Sequence, residues 1–146
     1  TLDLATGIGQ SRSVGDLAFS YRSSILLPTE VVTSVKLRLE LGHRSTCEKR
    51  IEDLVRWRRL NQPGGRNAGS VFTNPSGDSA GRLIDAAGGR GLRVGTAEVS
   101  QKHANFIQVD EGGSAHDVVL LMAEIVRLVG HVHEVQLEPE TILVGF

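Results

Sequence analysis

Two periodicities divide the chain. In residues 1–41 apolar positions alternate with polar ones and are broken by turn residues. Thr1-Leu2-Asp3-Leu4 alternates, Ala5-Thr6-Gly7 and Ser13-Val14-Gly15-Asp16 punctuate, and Val31 to Leu41 sets Val35, Leu37, Leu39 and Leu41 opposite Lys36, Arg38 and Glu40. This predicts strands and turns, with 31–41 a long paired strand. At Ser45 the period lengthens. Ser45-Thr46-Cys47-Glu48 fits a capping box, and Cys47, Ile51, Leu54 and Val55 recur at helical spacing as far as Leu60. Gln62-Pro63-Gly64-Gly65 closes that helix. A short helix from Ser79 to Ala87, strands near Arg93–Val99 and Asn105–Val109, and a helix capped by Ser114 follow. The last helix carries its apolar face on Val118, Leu121, Met122, Ile125 and Leu128 or Val129 and ends near Gly130; Val135 to Phe146, interrupted by Pro139, suits an edge or terminal strand. The order predicts an α+β fold with a boundary near Gly42-His43.

The 146 residues are 40% hydrophobic and 23% charged, a globular composition. Sixteen Lys+Arg against seventeen Asp+Glu give a net charge of −1, so no global field favours nucleic acid or an anionic membrane. A single cysteine, Cys47, excludes an intrachain disulfide and a cysteine-built zinc site and suits a reducing cytoplasm. No apolar stretch approaches bilayer length and no leader pattern opens the chain. With Met122 the only methionine, the chain reads as a piece of something longer.

Generic motifs have bland readings. Gly7-Ile8-Gly9 lacks the rest of a dinucleotide fingerprint and is explained by a hairpin turn. Arg56-Trp57-Arg58-Arg59 reads as the solvated face of a helix with Trp57 half-buried. His131-Val132-His133 has no third ligand nearby and reads as a surface turn, and Gly88-Gly89-Arg90-Gly91 is followed by no helix, unlike an RNA-binding GxxG loop. A serine hydrolase using Ser70 with His103 lacks the strand-turn-helix elbow.

Three segments resist such readings. Residues 67–75, NAGSVFTNP, put small residues, a hydroxyl and an amide in a loop that no secondary-structure rule demands; small neighbours let Ser70 approach a ligand closely. Residues 97–107, AEVSQKHANFI, place five polar side chains before an apolar strand, more than a turn requires. Glu140 opens a terminal apolar run, either as a solvated strand end or as a working acid.

Together YRSS, NAGSVFTNP, AGRLIDAAGGRG, VSQKHANFI and LEPE, in this order from about Asp16 to Gly145, closely resemble the C-terminal half of the UDP-N-acetylenolpyruvoylglucosamine reductase family. The resemblance implies a flavoenzyme of peptidoglycan synthesis, hence of cell-wall biogenesis, cell shape and cell division, working in the cytoplasm. NADPH would reduce FAD, and the flavin would pass hydride to UDP-N-acetylglucosamine-enolpyruvate to give UDP-N-acetylmuramate. It implies a catalytic set: Arg22 holding the substrate carboxylate, Ser70 protonating C2, and Glu140 supporting the enolate from the other side. It also implies substrate contacts by Asn74, Lys102, His103 and Asn105. Thr73, where lysine is common, and Gln108, where asparagine follows FI, depart from the pattern, and the tyrosine-bearing loop of one subgroup has no room between Arg22 and Ser70.

The family's FAD-binding region lies upstream of these motifs, so no cofactor-binding residue is assigned and no metal site is expected. Residues 1–41 would be the terminal strands of the flavin domain and 42–146 the substrate-binding domain, with the missing half of the same protein as partner and no turnover without it. The competing expectation is a non-redox module binding a nucleotide-sugar or RNA.

Overall fold

Every fully buried apolar side chain among the described residues lies between Val71 and Leu137, although apolar alternation runs from one end of the chain to the other. The computed structural model describes residues 1–145 and divides into two compact units, Thr1–His43 and a second that begins at Arg44.

The first unit is organised by a carboxylate. β1 (Leu2–Asp3) pairs antiparallel with β2 (Glu30–Val31). The Glu30 side chain, almost wholly withdrawn from solvent, accepts from the Leu27 N–H (2.9 Å), from Gln10 (3.2 Å) and from the Arg12 guanidinium (2.6 Å). These bonds, the Leu27 amide foremost, hold its pKa below the ordinary glutamate value. The Gly7 turn is a hairpin: Asp3 N–H donates to the Ile8 carbonyl and Gly7 N–H to the Asp3 carbonyl.

The second unit carries the core. α1 (Arg44–Asn61) is followed by β3 (Asn67–Ser70), α2 (Ala80–Ala86), β4 (Arg93–Val94), β5 (Ala97–Val99), β6 (Phe106–Val109) and α3 (Ala115–His133). The strands form one antiparallel sheet in the order β3-β6-β5-β4. Ser79 caps α2 by accepting from the Arg82 N–H, and Ser114 caps α3 by accepting from the His116 N–H. α3 turns Leu121, Met122, Ile125 and Val129 inward, and with Leu83 and Ile84 of α2 they cover Ala97, Val99 and Ile107 of the sheet. The α+β expectation therefore holds.

Several local expectations do not. The segment 31–41 is not a long paired strand: only Glu30–Val31 pairs, and Val35, Leu37 and Leu39 are 69%, 73% and 83% exposed. Alternation gives a segment two faces but cannot supply the neighbouring strand that makes it a ladder. Ser45 does not cap α1, which already begins at Arg44; Glu48 pairs with the Arg44 guanidinium (2.8 Å) instead of reaching back to the backbone. No residue of α1 is buried, and Trp57 is exposed rather than half-buried. Residues 67–70 are a strand rather than a loop. His131–His133 continue α3 past Gly130, because Val129 is buried, His133 reaches the Leu83 carbonyl of α2 (3.2 Å) and left-handed Glu134 closes the end. The tail pairs only through a bridge between Phe72 and Pro139, and Phe146 lies outside the described residues.

This division of burial sets the expected stability effects. Ile125→Ala should cost about 2–5 kcal/mol in urea unfolding because it opens a cavity under α3. Leu54→Ala on exposed α1 should stay within about 0.5 kcal/mol in this chain.

Candidate active site

The serine strand owes its shape to Asn67, Gly69 and a shift of register. The Asn67 side chain accepts from the Gly69 N–H (3.0 Å), and Gly69 adopts φ +83°, a conformation that costs any side chain about 1–2 kcal/mol. The register between β3 and β6 shifts between Asn67, opposite Gln108, and Ser70, opposite Phe106. Such a bulge re-aims the residue that follows it. Among the described residues the Ser70 hydroxyl has no hydrogen-bonding partner, so its proton is uncommitted.

The chain beyond Ser70 is bonded along both edges. On one side the Val71 N–H donates to the Asn105 carbonyl (2.9 Å), and the Asn105 carboxamide spans Phe72, accepting from its N–H (3.0 Å) and donating to its carbonyl (2.8 Å). On the other, the Thr73 N–H donates to the Glu138 carbonyl (2.9 Å) and the Glu140 N–H to the Val71 carbonyl (2.8 Å). Glu140 is thereby tied to the residue after Ser70, although 69 positions separate the two in sequence. Leu137, 2% exposed, anchors the returning tail in the core.

The remaining expected residues divide. Asn74 accepts from the Ala80 N–H (3.0 Å) and so fixes the first turn of α2. Lys102 and His103 open instead onto a hollow of about 290 Å³ shared with Gly81, Arg82 and Arg90, which Ser70 and Glu140 do not line. His103 Nδ1 accepts from the Asn105 N–H (3.2 Å), and its ring meets the Phe106 edge at 4.8 Å. Burial, reinforced by Arg90, lowers its pKa below the ordinary histidine value, so the ring is neutral with its proton assigned to Nε2. Lys102 donates to the Arg59 carbonyl. The two departures in the motifs are bonded to protein: Thr73 Oγ1 to the Glu138 carbonyl (3.3 Å) and Gln108 Nε2 to the Gly64 carbonyl (3.0 Å).

Arg22 belongs to the first unit. Ser20 and Ser23 exchange backbone bonds (3.0 and 3.2 Å), making Tyr21 and Arg22 the central pair of a tight turn, and exposed Arg22 takes φ 54°. A non-glycine residue held there stores strain of the kind found at ligand clamps.

Sequence reasoning takes Asn67 and Gly69 only as parts of a small-residue loop and assigns Gly81 no part in the site. A Cβ on Gly81 would lie 3.1 Å from His103 Cε1, so the glycine of AGRLID makes room for the histidine of KHANF. No group of three or more potential metal ligands occurs among the described residues, and no helix there is long and apolar enough to cross a membrane.

The family described as UDP-N-acetylenolpyruvoylglucosamine reductase, C-terminal domain, matches residues 60–144. The UDP-N-acetylenolpyruvoylglucosamine reductase of Syntrophotalea carbinolica is 44% identical to this chain, with 88% of this chain and 44% of that protein covered. That of Gloeobacter violaceus is 37% identical across 99% of this chain and 51% of its own length. The crystal structure of UDP-N-acetylenolpyruvylglucosamine reductase (MurB) from Thermus caldophilus superposes with a TM-score of 0.71 at 41% identity, covering 86% of this chain and 45% of that one. The chain thus spans about half the length of the curated relatives it matches.

The neutral His103 has a pH signature. The unfolded chain takes up its proton near pH ~6.5, the folded chain only at lower pH, so this contribution to stability is present above about pH 6.5 and lost as pH falls below it. Urea midpoints measured from neutral pH downward should fall less steeply for His103→Gln than for the parent.

Proposed function

The chain belongs to the UDP-N-acetylenolpyruvoylglucosamine reductase family, and from that premise we propose that it forms the substrate-reducing part of such an enzyme. The reaction is reduction of UDP-N-acetylglucosamine-enolpyruvate to UDP-N-acetylmuramate in cytoplasmic peptidoglycan synthesis, with FAD as the resident cofactor and NADPH as its reductant. The observation that carries the assignment is the bond from the Glu140 N–H to the Val71 carbonyl, which sets a carboxylate-bearing residue against the strand of the uncommitted Ser70 hydroxyl.

The Gly7 turn does not supply a cradle for the flavin diphosphate. At the Gly7 turn the Asp3 carboxylate already accepts from the Ala5 N–H (3.0 Å) and the Thr6 hydroxyl (2.9 Å), so an incoming phosphate would meet a carboxylate. We assign FAD and NADPH binding to the part of such a reductase outside this chain.

What these side chains contribute follows from the chemistry of the substrate. Addition of hydride to the methylene carbon of the enolpyruvyl group leaves an electron pair shared between C2 and the carboxylate. The Arg22 guanidinium, with paired planar donors, holds that carboxylate as its charge grows. Ser70 delivers its hydroxyl proton to C2; a hydroxyl is a weak acid, but it faces a strongly basic carbon, so placement decides the rate. Glu140, whose backbone N–H is tied to the Val71 carbonyl, supports the enolate from the other side. Asn74, Lys102 and His103 contribute to substrate placement from the α2 side. The non-redox binding module is not favoured, because reductases match along most of the chain.

In the full-length reductase, Ser70→Ala should leave reduction of the flavin by NADPH unchanged. It should slow re-oxidation by the enolpyruvyl substrate by about 10²–10⁴-fold, the usual contribution of a general acid. Stopped-flow absorbance of the flavin separates the two steps, and equal losses in both would remove Ser70 from this role.

A further inference from the structure

Asn105, an expected substrate contact, is only 4% exposed and spends its carboxamide on both backbone groups of Phe72, at 3.0 and 2.8 Å. A side chain that bonds an N–H and a C=O of one residue imitates a strand partner. It extends the pairing of Ser70 with Phe106 by the two residues that the β3 ladder lacks. We propose that Asn105 is a positioning residue for the Ser70 proton donor: it fixes the backbone immediately after the Gly69 bulge, and so the direction of the hydroxyl, without touching substrate. The proposal rests on the reductase reading above.

Three further observations bear on it. The Asn105 carbonyl also accepts from the Val71 N–H (2.9 Å), so one residue holds two consecutive links of the serine segment. The Asn105 N–H is itself fixed by His103 Nδ1 (3.2 Å), and Gly81 leaves the space that ring needs. Before Ser70 the support is a single side-chain bond, from the Gly69 N–H to Asn67 (3.0 Å), at a glycine held at positive φ. The aim of Ser70 is therefore set jointly by the bulge before it and by the Asn105 bonds after it.

Asn105→Asp tests this in the full-length reductase. The acid keeps an acceptor for the Phe72 N–H but sets a carboxylate oxygen against the Phe72 carbonyl, where a donor is required. Flavin reduction by NADPH should be unchanged. Re-oxidation by the enolpyruvyl substrate should slow about 10- to 100-fold, the cost of misplacing a reacting group by about an ångström, while substrate affinity shifts by less than about 3-fold. Placed on Ser70→Ala, Asn105→Asp should add no further loss, because both changes disable one proton transfer.

Weakened substrate affinity at an unchanged rate would make Asn105 a direct contact and overturn the proposal, as would losses that multiply in the double variant or no change at all. If Asn105→Asp does not fold, Asn105→Ser, which can satisfy only one of the two Phe72 groups, is read by the same criteria. Should Ser70→Ala itself leave re-oxidation untouched, the reductase role of Ser70 fails. A slow Ser70→Ala beside an unaffected Asn105→Asp sinks only the positioning role.

Discussion

The stitching of residues 71–73 between two partners is the constraint on which the rest of the second unit depends. Asn105 holds one edge through its backbone and carboxamide, and the returning tail at Glu138 and Glu140 holds the other. Val71 and Phe72 are each 1% exposed, so a lost partner would leave a buried polar group unsatisfied at about 1–3 kcal/mol. A segment bonded on both sides cannot tilt to suit one of them. Whatever Ser70 does, it does from a backbone fixed by residues 35 and 70 positions further along.

This arrangement divides the polar residues by task. Ser100 accepts from the Lys102 N–H (3.2 Å), His103 accepts from the Asn105 N–H, and Asn105 grips Phe72, so three of the polar side chains before β6 build a turn and its attachment. Asp78 likewise serves α2: hydrogen bonds from Arg82 bring its pKa down to about 2 and keep it charged beside the first turn. The groups not spent on the turn or on α2 are fewer than the sequence suggests: the Ser70 hydroxyl on β3, and the Lys102–His103 hollow next to α2.

The elements legible in the sequence were those whose partners are local. Ser114 caps its helix as its position before the apolar run implies, Ser79 stands at the start of α2 as its cap, and Leu121, Met122 and Ile125 mark the buried face of α3. The long strand over 31–41 was misread because alternation describes a face, whereas a strand also needs a neighbour that lies outside the local sequence. β3 was read as a loop because Asn67 and Gly69 break the β pattern; the same break produces the bulge that aims Ser70. At the candidate site, the residue types in NAGS, KHAN and LEPE were visible, but the difference between a group that meets a ligand and one that holds another group was not. Asn105 and Asn74 are the same residue type in similar company, and only the bonds to Phe72 and to Ala80 show what each one supports.

The account stands on Ser70 and Glu140 acting on one group of one substrate. A crystal structure of the full-length reductase with the enolpyruvyl nucleotide bound tests this most directly. It should show the enolpyruvyl carbons between the Ser70 hydroxyl and the Glu140 carboxyl, with Ser70 Oγ in reach of C2 and the Asn105 carboxamide still closed on Phe72. An enolpyruvyl group lodged away from both side chains, or reached by one alone, would contradict it.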